Sequence, residues 1–195
     1  MTDLRLRPAR TSDVPAIKEL VAPLARAGVL INKDTVAYYE GIQEFLVAEA
    51  VADGSARLVG CGALHVMWED LGEVRTLATS EDWRGCGVGR TLLDGLIERA
   101  RAVGVSRVFC LTFEVDFFRR HGFREMAEQV DPEIFNQLLR SADEGVAEFL
   151  DLARVKPNTL GNTRMIIDLA DAVIVDRDGV QPDRLRGADD ELRGA

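Results

Sequence analysis

The chain has 195 residues, 47% of them hydrophobic and 29% charged, which suits one soluble globular domain with a core of its own. A net charge of −9 argues against nucleic acid as a partner, no apolar run is long enough to cross a bilayer, and the opening MTDLRLRPARTSD lacks a signal-peptide core. Cys61, Cys86 and Cys110 show no metal spacing and His65 and His121 lie far apart, so no metal site is expected and a reducing cytoplasm fits.

LRLRPA alternates as a first strand. TSDVPAIKELVAPLA predicts a helix with Thr11 or Ser12 as N-cap and Ile17, Leu20, Val21 and Leu24 on one face. Residues 33–43 form a shorter helical segment. EFLVAEA and RLVGCGALHVMW read as an antiparallel pair joined through a turn containing Asp53-Gly54, and LGEVRTLAT as the next strand. After the glycine-rich stretch EDWRGCGVGR, a helix keeps Leu92, Leu93, Leu96, Ile97, Ala100 and Val103 at helical spacing. SRVFCLT is a strand parallel to its predecessor, because a helix crosses between them. EVDFFRRHGF is a short helix closed by Gly122, DPEIFNQLLRSADEG supplies more helix, and NTRMIIDL a last strand. Residues 1–170 are read as one catalytic domain, and residues 171–195, with seven acids, four arginines and little periodicity, as a mobile polar tail.

The glycine-rich stretch determines the chemistry. Gly85, Gly87 and Gly89 let the backbone take positive φ and approach a ligand closely, and the next helix points its free N–H groups and positive dipole end at an anion. A Walker loop does not fit: the lysine is missing and Arg84 holds the first glycine's place. A dinucleotide fingerprint from Gly85 would need its third glycine at Arg90. The pattern that fits is Arg-x-x-Gly-x-Gly, from Arg84 through Gly87 to Gly89.

With EVRTLAT before it, and VFCLT and FFRRHGF after it, this stretch resembles the core of the Gcn5-related acetyltransferases over roughly residues 3–169. GCGALHV, GEVRTLAT and VAEFLDLARVKPNTLGNTRM are similar to the short amino-acid N-acetyltransferases that make N-acetylglutamate, the first step of arginine biosynthesis. The resemblance implies an α/β fold: a mixed, mostly antiparallel sheet with two splayed central parallel strands, flanked by helices. It implies acetyl-CoA as co-substrate. Backbone groups of Arg84, Gly85, Cys86, Gly87, Val88, Gly89 and Arg90 would hold the pyrophosphate. Leu77, Ala78 and Thr79 would pair with the pantetheine arm, with Phe117, Phe118 and Arg119 on its far side.

Acyl transfer to an amine needs a neutral amine, a polarised thioester and a proton for the leaving thiolate. Glu73 is the candidate base. In a regular strand Glu73, Arg75 and Leu77 share one face while Val74 and Thr76 take the other, against the alternative of a solvated Glu–Arg pair. Many members of the family carry a tyrosine acid where this chain has Phe117-Phe118; the resemblance points instead to Thr112, which also reads as a structural strand-end residue. Arg75, Lys33 and Arg164 are the candidates to grip the carboxylates of an amino-acid acceptor. Lys33 begins the segment that covers the acceptor pocket in this fold, and Arg164 falls where longer synthases carry Arg-x-Ser-Lys, whose first arginine is absent here. His65 and His121 read as structural, and Cys86, without a histidine beside it, as a poor nucleophile. The competing functions are acetylation of another amine (glutamine, a small metabolite, a protein N-terminus) and non-catalytic acetyl-CoA binding. A homodimer is the expectation for such an enzyme.

Overall fold

The computed structural model describes residues 3–52, 54–127, 132–143, 146 and 161–169. The polar tail, residues 171–195, lies outside them. Among the described residues seven strands make one sheet: β1 (Asp3–Pro8), β2 (Phe45–Ala52), β3 (Ser55–Val66), β4 (Leu71–Thr79), β5 (Arg107–Thr112), β6 (Arg124–Glu125) and β7 (Thr163–Asp168), in the spatial order β1-β2-β3-β4-β5-β7-β6. All neighbours are antiparallel except β4 and β5. Among the described residues the helices are α1 (Val14–Arg26), α2 (Thr35–Glu40), α3 (Val88–Ala102), α4 (Val115–Arg120) and α5 (Pro132–Leu138). Among the described residues no helix is long and apolar enough to cross a membrane.

The sheet buries both faces. On one, α3 lays Leu92, Leu93, Leu96 and Ala100 against Ala48, Val59, Leu64, Val74 and Cys110. On the other, Val14, Ile17 and Val21 of α1 and Tyr38 of α2 cover Phe45, Val47, Cys61 and Ala63. A third cluster joins Phe109 and Ile166 to Leu71 and to Leu138 of α5. α3 can lie this close because β3 carries glycine beneath it. A Cβ on Gly60 would stand 2.7 Å from Val88 Cγ1 and 2.9 Å from Leu92 Cδ1, so the first turn of α3 is seated over the sheet centre only where no side chain intervenes.

The predicted elements are present in the predicted order, with local differences: the helix expected over residues 131–145 ends at Leu138, and the one over residues 33–43 is confined to Thr35–Glu40, with a 3-10 turn (Ile42–Glu44) after it. Thr11 and Ser12 do not cap α1; they belong to a 3-10 turn (Thr11–Asp13), in which Asp13 accepts the Arg10 N–H at 2.7 Å and the Arg7 guanidinium at 2.7 and 3.0 Å. Val103 is half exposed, since α3 ends before it. The two-residue strand β6 was not anticipated: Arg124 and Glu125 pair with Ile166 and Met165. Gly122 does close α4, at φ +88°, with its N–H donating to Arg119 and that of Phe123 to Phe118.

The central pair parts company early. β4 and β5 are in register only from Leu71–Glu73 against Arg107–Phe109. Beyond Glu73, β4 keeps its partner β3 while the rest of β5 pairs with β7, so the two facing edges open into a wedge. At the same place β4 bulges: Cys61 faces Ala78 but Ala63 faces Arg75, one residue more on β4 than on β3, and Thr76 takes φ +56°. That value is an outlier for a β-branched residue.

Candidate active site

The bulge overturns one sequence-based expectation. Leu77 does not share a face with Glu73 and Arg75. The extra residue reverses the alternation, and Leu77 packs with Val74 on the α3 side, where a Cβ on Gly62 would meet its Cδ1 at 3.0 Å. Ala78 takes its place on the α1 side. The outer end of β4 can therefore continue along the wedge while Glu73 and Arg75 remain turned into the opposite face.

Past Thr79 the chain makes a 3-10 turn (Glu81–Trp83) and enters the glycine loop. Gly85 (φ +77°) and Gly87 (φ +83°) are left-handed, as anticipated, whereas Gly89 already lies in α3. A Cβ at either left-handed glycine would meet nothing within 4 Å, so the loop presents bare backbone to open space. Its donors are fewer than the full run from Arg84 to Arg90. The Arg84 N–H is bound to Glu81 (3.2 Å) and the Cys86 N–H to Trp83 (3.3 Å). Gly87, Val88, Gly89 and Arg90 form the helix N-terminus, whose first four N–H groups have no acceptor within a helix; the first regular bond is Thr91 N–H to Gly87 O, at 3.0 Å. Converging N–H groups, the helix dipole and the exposed guanidinium groups of Arg84 and Arg90 fit a pyrophosphate.

The mouth of the wedge is narrow. A Cβ at Gly89 would lie 3.6 Å from the Phe117 ring and 3.8 Å from Thr79 Oγ1, which brings the end of β4, the start of α3 and α4 together. Of the α4 residues proposed to line the arm, Phe117 faces this junction, edge-on to Phe118 with centroids 5.1 Å apart and tilted against His121 at 4.5 Å. Phe118 instead faces the core and packs on Phe123. Arg119 is an exposed residue paired with Asp116 (2.8 Å) and Glu125 (3.3 Å). His121 is structural: its Nδ1 contacts the Phe117 carbonyl at 2.7 Å.

Glu73 stands where β4 and β5 separate and is only 3% exposed. Its Oε2 is buried without a hydrogen-bond partner, and among the described residues the cation paired with it, Arg75 Nη1, is 3.8 Å away, close enough for attraction but too far for a hydrogen bond. Burial raises its pKa above the usual carboxylate value, against the pull of Arg75, Lys33 and His65. A buried acceptor with a raised pKa is the chemistry a general base requires. The solvated-pair reading of Glu73 and Arg75 does not survive this burial.

Arg75 is held on two sides: Nη1 donates to Asp143 Oδ1 (2.9 Å) and Oδ2 (3.0 Å), and Nη2 to Glu44 Oε2 (2.7 Å). The other Glu44 oxygen meets His65 Nδ1 at 2.7 Å. Burial, the largest single influence on Glu44 and Asp143, disfavours their charge. The neighbouring His65 and Arg75, and for Asp143 also Lys33, outweigh it and hold both below the usual carboxylate range. Lys33 and Asn162 line the same cavity as Glu73, Arg75 and Leu111. Burial, then the charge of Arg75, lowers the Lys33 pKa. Arg164 lies opposite Leu111 on β7, hence on the same sheet face. Thr112 is on the other face, and its hydroxyl oxygen accepts the Glu114 N–H at 2.9 Å.

Glu44, Asp143 and Asn162 were not anticipated. Asp143 is 68 positions from Arg75 in the chain, and Glu44 ends a 3-10 turn (Ile42–Glu44) just before β2, with no local pattern that would flag it.

The acetyltransferase (GNAT) family profile matches residues 19–123. An amino-acid acetyltransferase of Mycobacterium tuberculosis is 53% identical over 165 residues, covering 84% of this chain and 94% of the relative. The crystal structure of Rv2747 from M. tuberculosis, in complex with CoA and NLQ, superposes with a TM-score of 0.80 at 52% identity, covering 85% of this chain and 99% of that one. N-acetylglutamate synthase from Neisseria gonorrhoeae, complexed with coenzyme A and N-acetyl-glutamate, gives a TM-score of 0.67 at 26% identity, with 87% of this chain covering 36% of that longer one. Splayed strands, a bare glycine loop at a helix N-terminus and these relationships agree: the chain belongs to the acetyltransferase (GNAT) family, among its amino-acid acetyltransferases.

Proposed function

We propose that the protein is a cytoplasmic enzyme that transfers the acetyl group of acetyl-CoA to the α-amino group of L-glutamate, the first step of arginine biosynthesis. The observation that carries the reading is Glu73, a buried carboxylate with an unpartnered oxygen, where the wedge meets a cavity lined by Lys33 and Arg75. Acetyl-CoA supplies an activated thioester. Gly87, Val88, Gly89 and Arg90 bind its pyrophosphate through backbone N–H groups; the edges of Leu77, Ala78 and Thr79 orient the pantetheine arm, with Phe117 bounding it.

Transfer is direct. The neutral amine attacks the thioester carbonyl carbon, the N–C bond forms, the C–S bond breaks, and the sulfur leaves with the electron pair. Glu73 takes the proton released by the amine. The Thr112 oxygen is the acceptor in its bond to Glu114, so its hydroxyl hydrogen remains to steady the leaving thiolate. Lys33 and Arg164 hold the acceptor carboxylate, beside Arg75, which is itself bound by Asp143 and Glu44. Cys86 is exposed in the phosphate loop rather than beside Glu73, which supports a ternary complex over an acyl-enzyme.

A second acceptor, L-glutamine, is favoured by the charge balance. Among the described residues Glu44 and Asp143 already pair with Arg75, which weighs against a second acceptor carboxylate. The test is thiol release from acetyl-CoA by the purified protein with a panel of amino acids. Turnover with glutamate or glutamine is expected. Acetyl-CoA binding without release for any amino acid would refute the enzymatic reading.

A further inference from the structure

We propose that Asp143 is a specificity-determining residue of the acceptor site, occupying Arg75 so that the site discriminates against an amino acid with a second carboxylate on its side chain. The proposal rests on the acceptor-site reading above. Both Asp143 oxygens lie within 3.0 Å of Arg75 Nη1, the geometry an incoming carboxylate would need for itself. The carboxylate is also held by its own loop: Oδ1 accepts the Val146 N–H at 3.1 Å, and the Asp143 N–H donates to Ser141 Oγ at 3.2 Å. Asp143 is thus oriented towards Arg75 by backbone and hydroxyl contacts of its own.

The second guanidinium edge is closed in the same way. Glu44 spans Arg75 and His65 with contacts of 2.7 Å on each side. An acceptor carboxylate that sought Arg75 would have to displace one of these two acids, while an amide side chain makes no such demand. Of the two, Asp143 places both oxygens on Arg75 and Glu44 only one, so Asp143 is the acid whose removal most directly frees Arg75.

The experiment measures kcat/KM for L-glutamate and for L-glutamine, by thiol release, in wild type, Asp143→Asn and Asp143→Glu. Removing one charge near Arg75 should raise the glutamate-to-glutamine ratio about tenfold, allowing for partial exposure, and mainly through the glutamate KM. Asp143→Glu, which restores the charge, should return the ratio towards the wild-type value; a merely structural Asp143 would alter both acceptors alike. Should Asp143→Asn fail to fold, Glu44→Gln removes the neighbouring acid and should shift the ratio in the same direction. A ratio that stays within about twofold of wild type, where wild type turns over both acceptors, overturns this proposal alone. Wild-type protein inert towards both amino acids overturns the acceptor-site reading, and this proposal with it.

Discussion

Replacing Glu73 by glutamine keeps the shape of the side chain and removes the base. Positioned general bases contribute roughly 10²–10⁴-fold, so kcat should fall by that factor, about 3–5 kcal/mol of barrier. Acetyl-CoA affinity, read by calorimetry, should hardly change, because the glycine loop is built by other residues. The pH profile is the sharper measurement. Burial lifts the Glu73 pKa above its ordinary 4.5, so wild-type kcat/KM should fall as acid protonates the base, with the midpoint of that limb above the ordinary carboxylate value; the variant should lose the limb. Stability should move the other way. A carboxyl whose folded pKa is raised contributes stability that is full below its unfolded pKa and is lost as pH rises through the folded pKa. At neutral pH the glutamine variant, with no charge to bury, should therefore melt higher than wild type. The gain should be about 1 kcal/mol, because the amide still meets few partners at the position of Oε2. A rate within threefold of wild type, or an acidic limb that persists in the variant, would refute the assignment of Glu73.

Gly87→Val should lower acetyl-CoA affinity at least about tenfold, since a side chain at φ +83° projects into the open space before the helix. Gly104→Val, at φ +89° beyond the other end of α3, carries similar strain and should leave that affinity unchanged; equal losses in both would show a fold effect only. Gly60→Ala should cost about 1–3 kcal/mol in urea unfolding, because its Cβ would press on Val88 and Leu92 in a filled core. Arg7→Ala should destabilise at neutral pH by about 1–3 kcal/mol, through loss of its bonds to Asp13 (2.7 Å) and Glu49 (2.5 Å). Arg7 holds both carboxyls below their ordinary range, so their contribution is present above the unfolded pKa values and lost as pH falls through the folded ones. The variant should accordingly lose less stability than wild type on acidification, and an unchanged acid dependence would contradict the pairing.

The order of the helices and of every strand but β6, the parallel step across α3 and the left-handed backbone at Gly85 and Gly87 were determined by the sequence alone. Each depends on signals that act over a few residues: alternation in β1, the periodicity of Leu92, Leu93 and Leu96, the positive φ that glycine permits at Gly85 and Gly87. Only the tertiary structure decided what faces what. The bulge at Thr76 turned Leu77 away from Glu73, and it arises from how β4 is registered on β3, which no property of the β4 segment reports. The depth of Glu73, and hence its proton affinity, comes from strands and helices that cover it from distant parts of the chain. Glu44, His65, Arg75 and Asp143 are linked by contacts that span 21 to 68 positions of sequence, because opposite charges attract wherever the fold brings them together.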